Sequence, residues 1–263
     1  MIFEKVFDIH AHIGFRKGKE YRPQDALQRM DKNNIIKAVI ATFVTGLIEK
    51  SDFKKANDYI IKAVRAYPDR FIGLSAITPL HGGFALKEFQ RGLENGLSGI
   101  KLHPDKGGSY SLNNKVLLKI MSKIEDLGAL VFIHSDFNSK NCSPYSIADL
   151  ARKFPRAKIL MGHFGLEQEL CESVPLVVKS IKNIFLDTSQ TADDPEAIYV
   201  NSIKQLGVSR VLFGSDAPVI SPEVNLKKLE IAIEYYNLVD SEVKAILWNN
   251  AIKLLNNVPN AKL

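Results

Sequence analysis

The sequence predicts an α/β protein, a (β/α)8 barrel with an extra C-terminal helix. Short β-branched or aromatic runs alternate with amphipathic helical stretches about eight times along the chain. The 263 residues contain no internal linker, low-complexity tract or composition break, so one barrel domain spanning 1–263 is expected. Five of the six histidines fall where the strand-like runs end, which is the end of a barrel that carries chemistry.

Taken in order, the strands are expected near 5–10, 35–42, 70–77, 98–102, 129–134, 157–162, 183–187 and 210–214. Between the second and third, Phe53, Ala56, Ile60, Ala63, Val64 and Tyr67 form a stripe of helical period, stopped by Pro68. A second stripe runs through Val116, Leu117, Ile120, Met121, Ile124 and Leu127, with Gly128 as its C-terminal stop. Ser143-Pro144, Asp194-Pro195 and Ser221-Pro222 each place a capping side chain before a proline, the punctuation that opens a helix. Ser241 to Asn256 reads as the extra helix after the eighth unit. An open doubly wound sheet would carry a glycine fingerprint for phosphate at its first turn, and the sequence lacks one.

Apolar residues make up 46% and charged residues 24% with a mean hydropathy of −0.05, which excludes collagenous, disordered and membrane-spanning classes. No apolar run approaches the ~20 residues of a membrane helix. The N-terminus lacks the basic, apolar, small-residue order of a signal peptide, so the reading is a cytoplasmic protein with no membrane partner. Cys142 and Cys171 have neither CxxC spacing nor a histidine pattern and read as free thiols. The net charge of +6 is scattered rather than gathered in a stripe, which argues against a nucleic-acid partner and would gently attract an anionic small molecule.

Asp8-Ile9-His10-Ala11-His12 closes the first strand, and strand parity places Asp8, His10 and His12 on one side with Ile9 and Ala11 on the other. His134 ends ALVFIH, His163 follows KILMG and Asp216 follows VLFGS. Barrel strand ends converge, so two histidines, a third histidine and an aspartate supply an N3O set suited to Zn²⁺, or to Mn²⁺, Fe²⁺ or Co²⁺.

The motifs DIHAHIG, GIKLHP, VFIHSD, LMGHFG, FLDTSQ and LFGSDAP, in this order, resemble the amidohydrolase superfamily over nearly the whole chain. Its amidohydrolase-related branch is the nearest likeness, with WNNAIKLL similar to that branch's closing helix. The resemblance implies one divalent transition metal, zinc first, on His10, His12, His134 and Asp216, with His163 and Asp216 as catalytic groups. A second metal bridged by carboxylated Lys101 is the less favoured reading. Lys101 and His103 share parity and are read instead as groups that contact substrate or support the site. Arg16, in the basic loop Gly14 to Arg22, is a candidate partner for a substrate carboxylate. The implied activity is hydrolysis of a C–O or C–N bond in a lactone, ester or amide by metal-activated water. The alternative on the same scaffold is nonoxidative decarboxylation of a small unsaturated or aromatic acid. A catalytically silent metal-binding or interaction protein is the reading from another class. A homo-oligomer is compatible with the sequence.

Overall fold

The structure is a computed structural model and describes residues 3–166, 170, 173–190 and 196–263. β1 (Val6–His12) is followed by the hairpin strands β2 (Gly14–Arg16) and β3 (Lys19–Tyr21), then α1 (Pro23–Lys32), β4 (Ile35–Ala41) and α2 (Lys50–Ala66). Next come β5 (Phe71–Gly73), β6 (Ser75–Ala76), α3 (Gly83–Glu94), β7 (Gly99–Leu102), α4 (Lys115–Leu127), β8 (Leu130–His134) and α5 (Pro144–Lys153). The chain continues through β9 (Lys158–Gly162), α6 (Val174–Val178), β10 (Ile184–Asp187), α7 (Ser202–Leu206), β11 (Val211–Leu212) and α8 (Pro222–Tyr236). It ends with α9 (Asp240–Lys244) and α10 (Asn250–Leu255).

The barrel strands pair in parallel as β1-β4-β5 and β6-β7-β8-β9-β10-β11. Two sets of backbone hydrogen bonds join these groups into one ring. β5 and β6 are one strand passing through Leu74, whose N donates to Ile40 O at 2.9 Å, while Ser98 N donates to Gly73 O at 2.8 Å on the opposite flank. At the other seam, Ile9 N donates to Phe213 O (2.9 Å), Asp216 N to His10 O (2.7 Å) and His12 N to Ala217 O (2.7 Å). Each of the eight expected strands is present, and the chain is a TIM barrel.

The helices form where period and caps point. α2 buries Phe53, Ile60, Ile61, Ala63 and Val64, and α4 buries Leu117, Ile120, Met121 and Ile124. Each large apolar side chain withdrawn from water contributes roughly 1.5–3 kcal/mol. Asn114 caps α4 by accepting from Val116 N and Leu117 N, and Gly128 ends it at φ 67, a left-handed position that needs no Cβ. Ser143 caps α5 by accepting from Ser146 N. Pro222 opens α8 as expected, but the Ser221 hydroxyl turns to Glu223 instead of the helix backbone.

Inside the barrel, Phe7, Ile9, Val39, Ile72, Leu74, Leu130, Phe132, Leu160 and Leu212 form one apolar cluster with Ala251, Leu254 and Leu255. The extra helix therefore plugs the end opposite the histidines. It spans Asp240 to Leu255 with a wider turn at Ala245–Asn249. Asp194-Pro195 and Cys171 lie outside the described residues. Cys142 is a buried free thiol. Among the described residues no helix is long and apolar enough to cross a membrane.

The basic stretch 14–22 is expected as a loop, yet it contains an antiparallel hairpin with Phe15 opposite Glu20 and Arg16 opposite Lys19. Gly14 and Gly18, at φ 104 and 76, allow the bends into the hairpin and around its tip.

Candidate metal centre

Strand parity misplaces one residue of the first motif. β1 pairs Asp8 with Ala38 but Ala11 with Ile40, so an extra residue is accommodated between them. As a result Ile9 joins the inner apolar cluster, and His10 and His12 both still turn into the barrel mouth. Asp8 stays out of the trio and serves the backbone instead. It accepts from His10 N (3.0 Å), from Ser215 N (2.9 Å) and from the Ser215 hydroxyl, tying β1 to the last strand's extension.

His10, His12 and Asp216 converge. The two Nε2 atoms are 3.1 Å apart, and Asp216 Oδ1 lies 3.4 Å from His10 Nε2 and 3.1 Å from His12 Nε2. The far nitrogens define the tautomers. His12 Nδ1 faces Ala41 O at 3.2 Å, and a carbonyl only accepts, so this nitrogen carries the proton. His10 Nδ1 donates to Asp187 Oδ2 at 3.1 Å. Both Nε2 atoms then turn lone pairs toward a carboxylate oxygen, an arrangement that a cation relieves, as the Lys101 ammonium does for His10 at 3.1 Å and as a metal between the three would do for all of them. Donors about 2.0–2.1 Å from a tetrahedral zinc-sized ion stand about 3.3 Å from each other, so the trio has the spacing and chemistry to hold a metal. Burial works against the charge on Asp216, but His10, His12 and His163 outweigh it and hold the carboxyl well below the usual range. Burial, reinforced by Lys101, keeps His10 neutral and able to ligate.

Around the trio stands a second tier. Lys101 is buried on β7, with Nζ 3.1 Å from His10 Nε2 and 3.4 Å from the centre of the Phe132 ring. Burial lowers its pKa to about 8. Asp187 ends β10 fully buried and anchors His10 from behind. Glycines on both flanks make room for it. A Cβ on Gly214 would meet Asp187 Cβ at 3.0 Å, and one on Gly162 would meet Phe132 at 2.9 Å and Asp187 Oδ2 at 3.4 Å. Gln190 donates its side-chain amide to Asp216.

His163, His134 and His103 complete a cluster of rings. The His163 ring lies 4.8 Å from those of both His10 and His134, and His134 stacks on His103 at 3.8 Å. The ring nitrogens of His134 stand outside the close group formed by His10, His12 and Asp216. Burial pushes His134 and His163 down and takes His103 to about 3. Backbone strain concentrates here. His163, Phe164, Gly165 and Leu166 take φ of 66, 48, 83 and 61, and Asp216 takes 58. Ser135 holds the first segment by donating its hydroxyl to Gly162 O and accepting from Gly165 N at 2.9 Å.

Arg16 does not reach the trio. Its guanidinium sits 5.5 Å from the Phe43 ring, and Phe43 stacks on His12 at 4.9 Å, so one aromatic ring separates the hairpin's cation from a candidate ligand. Among the described residues no carboxylate pairs with it. Phe43 and Asp187 stand beside the trio although the sequence alone assigns them no role, while Ser189, read there only as a hydrogen-bonding group after the seventh strand, faces both His10 and His163. Asp187 had a signal, because it is a charge ending the apolar run IFLD just as His134 ends VFIH. Phe43 had none.

Comparison with known proteins places this geometry in context. A family model described as amidohydrolase matches residues 7–256. The 2-amino-3-carboxymuconate-6-semialdehyde decarboxylase of Dictyostelium discoideum is 38% identical over 245 residues, covering 79% of this chain and 67% of that protein. Two solved structures share the fold at low identity. A dihydroxybenzoic acid decarboxylase from Polaromonas sp. JS666, with bound manganese and the inhibitor 2-nitroresorcinol, superposes with a TM-score of 0.73 at 16% identity over 99% of this chain and 100% of that one. A probable 2-pyrone-4,6-dicarboxylic acid hydrolase from Acinetobacter baumannii, with citric acid bound, gives 0.72 at 18% identity over 96% and 99%.

Proposed function

Because the chain belongs to the amidohydrolase family, we propose that it is a metal-dependent nonoxidative decarboxylase of a small unsaturated or aromatic acid. The observation that carries this reading is the 38% identity to a decarboxylase across most of the chain. The sequence alone puts hydrolysis first. That reading now stands second, since the hydrolase among the solved structures shares the fold at 18% identity and no more.

His10, His12 and Asp216 would hold the metal, with His134, which the family resemblance adds, as a fourth ligand, and zinc or manganese suits such a set. When bound, the metal supplies Lewis acidity toward a substrate oxygen. Lys101 turns its ammonium toward an anionic oxygen of the substrate at the same place, from a buried position where charge acts strongly. Arg16 and Phe43 form the mouth wall, offering a planar cation and an aromatic face to an unsaturated acid. His163 takes up a proton at Nε2 and delivers it to the carbon that CO2 leaves, so that one C–C bond breaks and one C–H bond forms. A positioned acid of this kind is worth ~10²–10⁴ in rate.

The test is CO2 release from a panel of small unsaturated and aromatic acids by metal-loaded protein, beside hydrolysis of lactones, esters and amides. The reading expects CO2 release that is abolished by chelator, lowered ~10²–10⁴-fold in His163→Ala, and shifted mainly in KM by Arg16→Met. Lactone or ester turnover by the same preparation without CO2 would replace it with the hydrolase.

A further inference from the structure

The proposed roles ask two imidazoles to keep Nε2 unprotonated, one to hold a metal and one to move a proton. Ser189 is fully buried between them. Its Oγ lies 3.0 Å from His10 Nδ1 and 2.9 Å from His163 Nδ1, and its hydroxyl also bonds Asp187 Oδ1. Asp187 Oδ1 accepts from Ser189 N as well, at 2.8 Å, while Oδ2 faces His10 Nδ1 at 3.1 Å.

A serine hydroxyl has one hydrogen and two lone pairs, and a carboxylate can only accept. The single hydrogen of Ser189 therefore goes to Asp187, and its lone pairs face the two rings. Each ring must then carry its proton on Nδ1. His10 has a second acceptor in Asp187, whereas among the described residues Ser189 alone faces His163 Nδ1. His10, His163 and Asp187 also bring donor atoms close enough to suggest a metal site of their own. A cation there would have to displace both Nδ1 protons, so the group is better explained as a hydrogen-bonded relay.

We infer that Ser189 is a positioning residue that sets the tautomer of His163, with Asp187 as its anchor. The hydroxyl leaves Nε2 of His163 as the working nitrogen and couples its ring orientation to that of the candidate ligand His10. This rests on the proposed function only in taking His163 as the proton carrier; the hydrogen positions follow from the donor and acceptor inventory. Loss of the hydroxyl should act unequally on the two rings, which a general structural role would not do.

The experiment is long-range proton–nitrogen correlation NMR of ¹⁵N-histidine protein loaded with zinc, comparing wild type, Ser189→Ala, Ser189→Thr and Asp187→Asn. Wild type is expected to show His10 and His163 both protonated at Nδ1. In Ser189→Ala, His163 loses its pure Nδ1–H signature, while His10 keeps it and zinc affinity changes by less than about threefold. Ser189→Thr restores the wild-type pattern. Asp187→Asn removes the charge and replaces one accepting oxygen with a donor, so it cannot serve both Ser189 and His10, and its zinc affinity should fall ~10–100-fold. Nε2 protonation of His163 in the wild type, or an unchanged His163 signature in Ser189→Ala, overturns the inference. Because the tautomer is read without substrate, failure of the decarboxylase reading would leave this result standing. If Ser189→Ala does not fold, the wild-type spectrum and the threonine and asparagine variants still decide.

Discussion

Gly214→Ala should damage the site through packing alone. Gly214 is not among the left-handed glycines, so alanine suits its backbone and would ordinarily stabilise by ~0.4–1 kcal/mol through the unfolded chain. Here the new Cβ would meet Asp187 Cβ at 3.0 Å, with Cγ and Oδ1 both at 3.1 Å. Asp187 cannot easily yield, because His10 and Ser189 pin both of its oxygens. Overpacking of this kind costs ~1–3 kcal/mol. Unfolding entropy near ~2.1 cal/mol/K per residue turns that into a Tm loss of about 2–5 °C for a chain of 263 residues. Displacing the carboxylate behind His10 should also weaken metal binding ~10–100-fold. Thermal melts and chelator-competition titrations measure the two effects on one sample. Gly83→Ala is the control, since its Cβ would meet nothing within 4 Å at the start of α3, and it should stabilise slightly. A Gly214→Ala protein that melts and binds metal like wild type would refute the claim that these glycines exist to seat Asp187.

Three further outcomes follow from other parts of the molecule. Glu88 is buried and held by Arg91 Nε (2.8 Å), Arg91 Nη2 (2.6 Å) and Asn57 Nδ2 (2.9 Å), so Arg91→Ala should cost toward the lower end of ~3–5 kcal/mol in urea denaturation. The double change Glu88→Met with Arg91→Leu should recover most of that, and a single variant as stable as wild type would show the pair contributes nothing. Burial alone would raise the Asp105 carboxyl, but Asn141, Ser139 and Cys142 donate to it and hold it below the ordinary 3.8. Its clamp between the loops after β7 and β8 is therefore complete above that pH and lost as pH falls through the lower folded value. Hydrogen exchange at 136–142 should rise in acid for wild type and be raised already at neutral pH in Asp105→Ala; equal protection in the two at neutral pH would dismiss the clamp. Lys101→Met should leave the fold intact and cut turnover at least ~10-fold, checked by circular dichroism beside CO2 release, because it removes the buried cation without emptying its volume.

Much of this architecture was legible because it depends on local pattern. Eight apolar runs, the stripe from Phe53 to Val64, the stop at Gly128 and the cap at Ser143 each report their own short stretch of chain. His10, His12 and Asp216 were legible for a related reason, since strand ends converge whenever a barrel closes. What escaped was set by contacts between distant segments. The extra residue in β1 that separates Asp8 from the two histidines depends on pairing with β4, and parity within one strand cannot register it. The Phe43 ring reaches His12 only because β4 lies beside β1, and its sequence neighbourhood resembles any other apolar run. The hairpin 14–21 was hidden by its charge, which reads as a solvated loop until Gly14 and Gly18 are seen to bend it. Hydrolysis and decarboxylation separate through the chemistry at the mouth, where the motifs are nearly silent.

The central claim is that the mouth of the barrel is built to hold a metal on His10, His12 and Asp216. Metal content per chain, determined by elemental analysis for wild type, His12→Ala and Asp216→Ala purified identically without chelator, tests it most directly. About one zinc- or manganese-class ion is expected in wild type, lost from both variants while their circular dichroism is retained. Wild type that takes up no metal even after reconstitution with zinc and manganese, or variants that keep the full complement, would contradict it.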